Sequence, residues 1–173
     1  LGRTELVHWL LDHGAAPAFL CGLPPGTPLH CALRLCHWDI AMILVDAMPV
    51  VSVVDAYGCT PLHVLCRESL LNGTNISAQY IAETLLSKSC PLEAVDQDGA
   101  TALHHCVIND LMETAELLLK HGANPNALIP DTSVSPLAIA ALEKNLPMAV
   151  MLLRYGADPY LKIHDGSSPA SIH

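Results

Sequence analysis

The sequence predicts an all-α fold of stacked helix-turn-helix units, and three observations carry that prediction. A tetrapeptide recurs as Thr27-Pro28-Leu29-His30, Thr60-Pro61-Leu62-His63, Thr101-Ala102-Leu103-His104 and Ser135-Pro136-Leu137-Ala138, with a last echo at Ser168-Pro169. Its starts lie 33, 41, 34 and 33 residues apart, so one unit length runs through the chain with a single insertion. Aromatic residues make up only 4% of a chain that is 51% hydrophobic, which suits thin layers of Leu, Ala, Ile and Val.

The elements follow in chain order. Residues 1–21 supply the second helix and the ending Asp12-His13-Gly14-Ala15 of an incomplete unit. Complete units are expected at 22–54, 55–95, 96–129 and 130–162, then a partial one at 163–173, all within one repeat domain over 1–173. In each unit the Thr or Ser hydroxyl can accept from an orphan backbone N–H, while Pro fills the first turn, where no N–H is needed. Seventeen residues on comes an apolar pair, Leu44-Val45, Leu118-Leu119 and Leu152-Leu153, with Leu85-Leu86 in line once eight inserted residues are allowed. These pairs predict the buried stripe of a second helix. Gly14, Gly122 and Gly156 then supply the left-handed cap that ends it. Met48 and Ser89 occupy that site in two units, where a left-handed residue costs roughly 1 kcal/mol, so both turns are expected to be reshaped. The insertion, roughly Arg67 to Ser77, contains the turn signal Asn72-Gly73 and is expected to protrude as a loop.

Asp55-Ala56-Tyr57-Gly58-Cys59-Thr60-Pro61-Leu62-His63 and Asp96-Gln97-Asp98-Gly99-Ala100-Thr101-Ala102-Leu103-His104, each followed by paired apolar residues, resemble ankyrin repeats, and the resemblance covers nearly the whole chain. It implies an ankyrin-repeat solenoid whose helix pairs are joined by β-hairpin-like loops, with His30, His63 and His104 bonding to the motif Thr and a neighbouring loop. It also implies a concave face, made of hairpin tips and the exposed side of the first helices, that binds another protein or a peptide segment. Carried over by position, that face comprises Leu23, Arg34 and Leu35, then Ala56, Tyr57, Arg67 and Glu68. It continues with Gln97, Asp98, Ile108 and Asn109, followed by Asp131, Thr132, Leu142 and Glu143. Tyr57 is the best single anchor, because a Tyr covers much area at low entropic cost. Asn126, in the hairpin after Gly122-Ala123, occupies a place where the family is sometimes hydroxylated on asparagine. Departures from the pattern are Ala138 for the motif His, Ala102 for the Pro, and Leu23-Pro24-Pro25 where Asp and Gly would assist the hairpin. A solenoid needs polar capping units, and neither end supplies one, so these residues are expected to be the interior of a longer solenoid.

A formal charge of −9 with only eight Lys and Arg cannot neutralise a row of phosphates, so nucleic acid is excluded as a partner. Such a chain would be steered towards a basic patch on another protein. Seven cysteines without a CxxC pair read as reduced thiols, which points to the cytoplasm or the nucleus. The sequons at Asn72 and Asn75 would matter only in the secretory pathway. The most apolar stretch, 38–54, carries Asp39, Asp46 and Pro49, so no membrane insertion is expected.

His63, Cys66, His104, His105 and Cys106 could offer nitrogen and sulfur to zinc if stacked helices brought them together. Cys66 and Cys106, however, lie at or beside small Ala positions of the repeat, as compact core residues. Nucleophilic catalysis by the same residues needs a third group to orient the base, and no sequence feature supplies one. The expectation is therefore no cofactor, no metal and no enzyme, but a scaffold or adaptor. The alternatives are a substrate-recruiting subunit of a ubiquitin ligase and a regulatory domain of a larger enzyme or channel.

Overall fold

The structure, a computed structural model, describes residues 2–18, 26–68 and 76–161. They fall into two compact units, Leu1–Pro91 and Leu92–His173. The first unit holds α1 (Arg3–Asp12), α2 (Pro28–Arg34), α3 (Trp38–Ala47), α4 (Pro61–Glu68) and α5 (Ile76–Ser87). Within it α2 packs on α3 and α4, α3 on α1 and α5, and α4 on α5, giving an inner row α2, α4 and an outer row α1, α3, α5. The second unit holds α6 (Ala102–Ile108), α7 (Met112–Lys120), α8 (Pro136–Leu142) and α9 (Leu146–Arg154). Here α6 packs on α7 and α8, and α8 on α9. The fold is the expected all-α repeat fold. Ile129 and Val134 form an isolated antiparallel bridge, and among the described residues no helix is long and apolar enough to cross a membrane.

The inner helices start as the motif dictates. The hydroxyls of Thr27, Thr60 and Ser135 accept the N–H of His30, His63 and Ala138 at 3.5, 3.4 and 3.2 Å. The Nδ1 atoms of His30, His63 and His104 in turn accept the backbone N–H of Thr27, Thr60 and Thr101 at 3.2, 3.2 and 3.1 Å. A backbone N–H can only donate, so each Nδ1 is bare and the ring proton sits on Nε2. That proton is donated to Cys59 O at 3.0 Å from His30 and to Val134 O at 3.3 Å from His104. The motif histidine thus fastens its own helix start to the next hairpin.

The outer helices end on left-handed residues. Gly14, Gly122 and Gly156 have φ of 86°, 92° and 90°. The rings of His13 and His121, just before two of them, donate from Nδ1 to Trp9 O and Leu117 O at 2.7 and 2.9 Å. The two turns expected to be reshaped differ from each other. Ser89 keeps the glycine-like shape, with φ 58° and its N–H and that of Cys90 bonded to Leu86 O and Leu85 O at 3.1 and 3.0 Å. The expectation for Ser89 therefore fails: satisfying two helix-end carbonyls offsets the roughly 1 kcal/mol conformational cost. Met48 does leave the pattern, turning extended at φ −95° and ψ 123° with its side chain buried. Lys88 secures this turn, its Nζ donating to Val45 O, Asp46 O and Met48 O at 2.7, 2.9 and 2.8 Å, while Val45 O also accepts the Met48 N–H at 3.2 Å.

Two further corrections concern the second helices and the insertion. Of the paired apolar residues, Leu86 is only half-buried and Leu153 is exposed. Neighbouring helical positions point about 100° apart, so one member of a pair can fall at the edge of the core. The insertion is not a loop from end to end, since α4 runs through Glu68 and α5 begins at Ile76. Asn72, Gly73 and Asn75 lie outside the described residues, as does Leu23-Pro24-Pro25.

Candidate protein-binding face

The hairpin tips are built on two buried aspartates. Asp55 Oδ1 accepts the N–H of Tyr57 and Cys59 at 2.8 and 2.9 Å, and Asp96 Oδ1 accepts those of Asp98 and Ala100, both at 3.0 Å. Each carboxylate thereby closes a hairpin and presents the two residues at its tip. The second oxygens differ. Asp55 Oδ2 is paired with the Arg34 guanidinium, and Asp96 Oδ2 with His105 Nε2 at 2.7 Å. Burial works against a charged Asp96, but the bonds from His105 and the two amides outweigh it, and the carboxyl sits below its ordinary range.

In the first unit this brings several expected face residues together. Arg34 lies under Tyr57, its Cζ 5.7 Å from the ring centroid, within cation–π range. Arg34 Nη1 is buried and finds no hydrogen-bond partner among the described residues. Tyr57 remains 45% exposed above it, and Leu35, the residue that caps α2, is 66% exposed. Arg67 Nη1 lies 3.8 Å from Cys59 Sγ, and half-buried Glu68 follows at the end of α4.

In the second unit Gln97 and Asp98 form the exposed tip organised by Asp96, with Asp131 and Thr132 exposed inside the turn that the Ile129–Val134 bridge closes. Ile108 and Leu142 occupy equivalent places at the ends of α6 and α8, 52% and 55% exposed, each followed by a polar residue, Asn109 and Glu143. Asn145 Nδ2 donates to Asp110 Oδ1 at 2.6 Å, tying together the turns that follow these two helices. Asn126 is held at both ends of its amide, donating to Gly156 O at 3.0 Å and accepting the Asp158 N–H at 2.7 Å. Leu23 lies outside the described residues.

The acidic partner of His105 went unseen in the sequence, which offers no orienting group for that ring. Asp96 and His105 lie in different elements, joined only once the hairpin folds over α6. The pair is structural: Cys106 beside it is buried, and Asp96 is committed to its hairpin. Cys90, another buried thiol, is pushed up to about 11 by burial, so it is no ready nucleophile at neutral pH. Among the described residues no group of three His, Cys, Asp or Glu side chains is placed to hold a metal ion.

Comparison with known proteins agrees with this architecture. Residues 75–163 match the family described as Ankyrin repeats (3 copies). The chain is 32% identical over 142 residues to the mouse B-cell lymphoma 3 protein homolog, covering 82% of this chain and 31% of that protein. It therefore spans about a third of the length of that relative. Among solved structures, the ankyrin repeat domain of Bcl-3, a member of the IkappaB protein family, superposes with a TM-score of 0.77 at 30% identity, over 96% of this chain and 71% of that one. A shorter likeness, 36% identical over 78 residues, joins 45% of the chain to 12% of the mouse palmitoyltransferase ZDHHC13.

Proposed function

Since the chain belongs to the ankyrin-repeat family, we propose that it is a non-catalytic scaffold or adaptor that binds a partner protein or peptide segment through its hairpin tips and the ends of its inner helices. One observation carries this reading. Ile108 and Leu142, at corresponding places in two repeats, and Leu35, one position further along in an earlier repeat, are large aliphatic side chains more than half exposed, whereas the buried motif polar groups of the same repeats are spent on internal hydrogen bonds. Exposed apolar groups that the fold does not use, Leu35 with Tyr57 in the first unit and Ile108 and Leu142 with Gln97, Asp98, Asp131 and Thr132 in the second, give each unit the mixed composition of a protein interface. The partner chemistry that suits the −9 charge is a basic surface, and the thiol-rich composition suits an intracellular setting.

The test is affinity capture of partners on the chain, repeated with Tyr57→Ala combined with Asp98→Ala. The expected result is at least a tenfold loss of affinity, about 1.4 kcal/mol, with an unchanged melting curve. Full retention of affinity would remove this face.

A second reading, a regulatory domain of a larger enzyme, is favoured by the likeness to part of a palmitoyltransferase. The coding sequence on either side of these residues decides it: a catalytic domain in the same chain would support it, and the lack of one would discard it.

A further inference from the structure

The outer helices of the two units are arranged differently. In the first unit they pack directly, α3 against both α1 and α5. In the second, α7 and α9 stand apart, and an open groove of about 550 Å³ runs between them. This surface is lined by the outer helices α7 and α9, and by none of the hairpin-tip residues Gln97, Asp98, Asp131 and Thr132.

The groove has two chemically distinct sides. On α9, Leu146 and Val150 lie one turn apart and are 73% and 41% exposed. Met112 and Met151 add flexible thioethers that can adapt to an inserted side chain. On α7, Glu113 and Glu116 share a face along the other rim. Glu116 is already engaged, with Lys120 Nζ at 3.2 Å and the Tyr155 hydroxyl at 3.3 Å. Glu113 makes no ion pair among the described residues and is exposed. Arg154 at the far end is the one cation lining the groove, in a segment, residues 92–173, with ten acidic and four basic residues.

We infer that this groove is a second docking surface, taking an amphipathic helix that inserts an aliphatic side chain beside Leu146 and Val150 and sets a lysine or arginine against Glu113. The apolar wall supplies contact area for a helix laid in a groove, and the carboxylate rim selects a basic edge over an acidic one. A second copy of this acidic chain is disfavoured by like charge.

The probe is a synthetic helical peptide with a leucine face and a lysine face, labelled for fluorescence anisotropy, beside a counterpart with every lysine replaced by glutamate. The expected result is saturable binding of the leucine–lysine peptide, weakening as salt rises, and no saturable binding of its counterpart. Val150→Asp is the decisive variant, because it adds negative charge while spoiling the apolar wall. Docking in the groove predicts at least a tenfold loss of affinity, whereas diffuse attraction to an acidic surface predicts equal or tighter binding, which overturns the inference. Glu113→Gln, which leaves the fold untouched, should weaken binding about threefold and flatten its salt dependence. Equal binding of both peptides, or amide shifts confined to the Asp98 and Asp131 tips, would also overturn it.

Discussion

At the scale of single residues, the histidine of the repeat motif sets how the protein responds to acid. Burial holds the His104 ring neutral and lowers its pKa from 6.5 to about 4, while the ring's bond to Val134 O only partly compensates; His30 is lowered for the same first reason. An unfolded ring takes up a proton near 6.5 and the folded His104 refuses it until about 4. Stability from this group is therefore complete above about 6.5 and is lost as pH falls towards 4, by about 1.4 kcal/mol per pH unit. Urea unfolding through this window should show the slope, and His104→Asn, though weaker at neutral pH, should make it shallower. An unchanged slope in the variant would reject the assignment. Lys88 is a second residue of this kind, because its one ammonium group donates to three carbonyls of the turn that ends α3. Lys88→Met should lower stability by about 1–2 kcal/mol in thermal unfolding, a larger loss than surface lysines such as Lys120 or Lys144 give. Nothing in the sequence near Lys88 announces this role, since the carbonyls it serves belong to residues 45–48.

At the scale of elements, the turns carry more strain than the glycines reveal. The inner helices α2, α6 and α8 end on Cys36, Asp110 and Lys144, with φ of 53°, 52° and 55°. In each the left-handed residue and its successor bond back to the helix, as Lys144 N does to Ala141 O at 3.1 Å and Asn145 N to Ala140 O at 2.8 Å. Sequence reading misses these caps, because no glycine marks them, while Gly14, Gly122 and Gly156 were legible at once. Lys144→Gly should relieve the left-handed strain and raise stability by up to about 1 kcal/mol, read as a shift in the denaturant midpoint. Gly99 is the opposite case, with φ 75° and a position where an added Cβ would lie 2.5 Å from Pro130 Cδ. Gly99→Ala should therefore destabilise by about 2 kcal/mol or more, combining backbone strain with displacement of the neighbouring loop. A midpoint equal to that of the parent chain would mean the Pro130 loop yields freely.

At the scale of the whole molecule, the repeat period made the helices legible because every unit must bury the same stripe and cap the same ends. The exposed positions Ile108 and Leu142, each seven residues after its motif Thr or Ser, followed from that register alone. The pairing of Arg34 with Asp55 did not, because it joins residues of different repeats, nor did the groove between α7 and α9, which depends on how far two helices stand apart. The same logic predicts how stability is distributed along the chain. A repeat is held only by its neighbours, so protection should follow the number of faces an element buries. No residue of α1 is buried and its main packing among the described residues is on α3, whereas Pro61 through Cys66 of α4 are all buried between α2 and α5. Amide hydrogen exchange should then be fastest over Arg3–Asp12 and slower by at least about a hundredfold over α4, since each 1.4 kcal/mol of local stability is a factor of ten. Equal protection of α1 and α4 would mean that the first unit opens only as a whole, and that its helices are coupled more tightly than neighbour-by-neighbour packing allows.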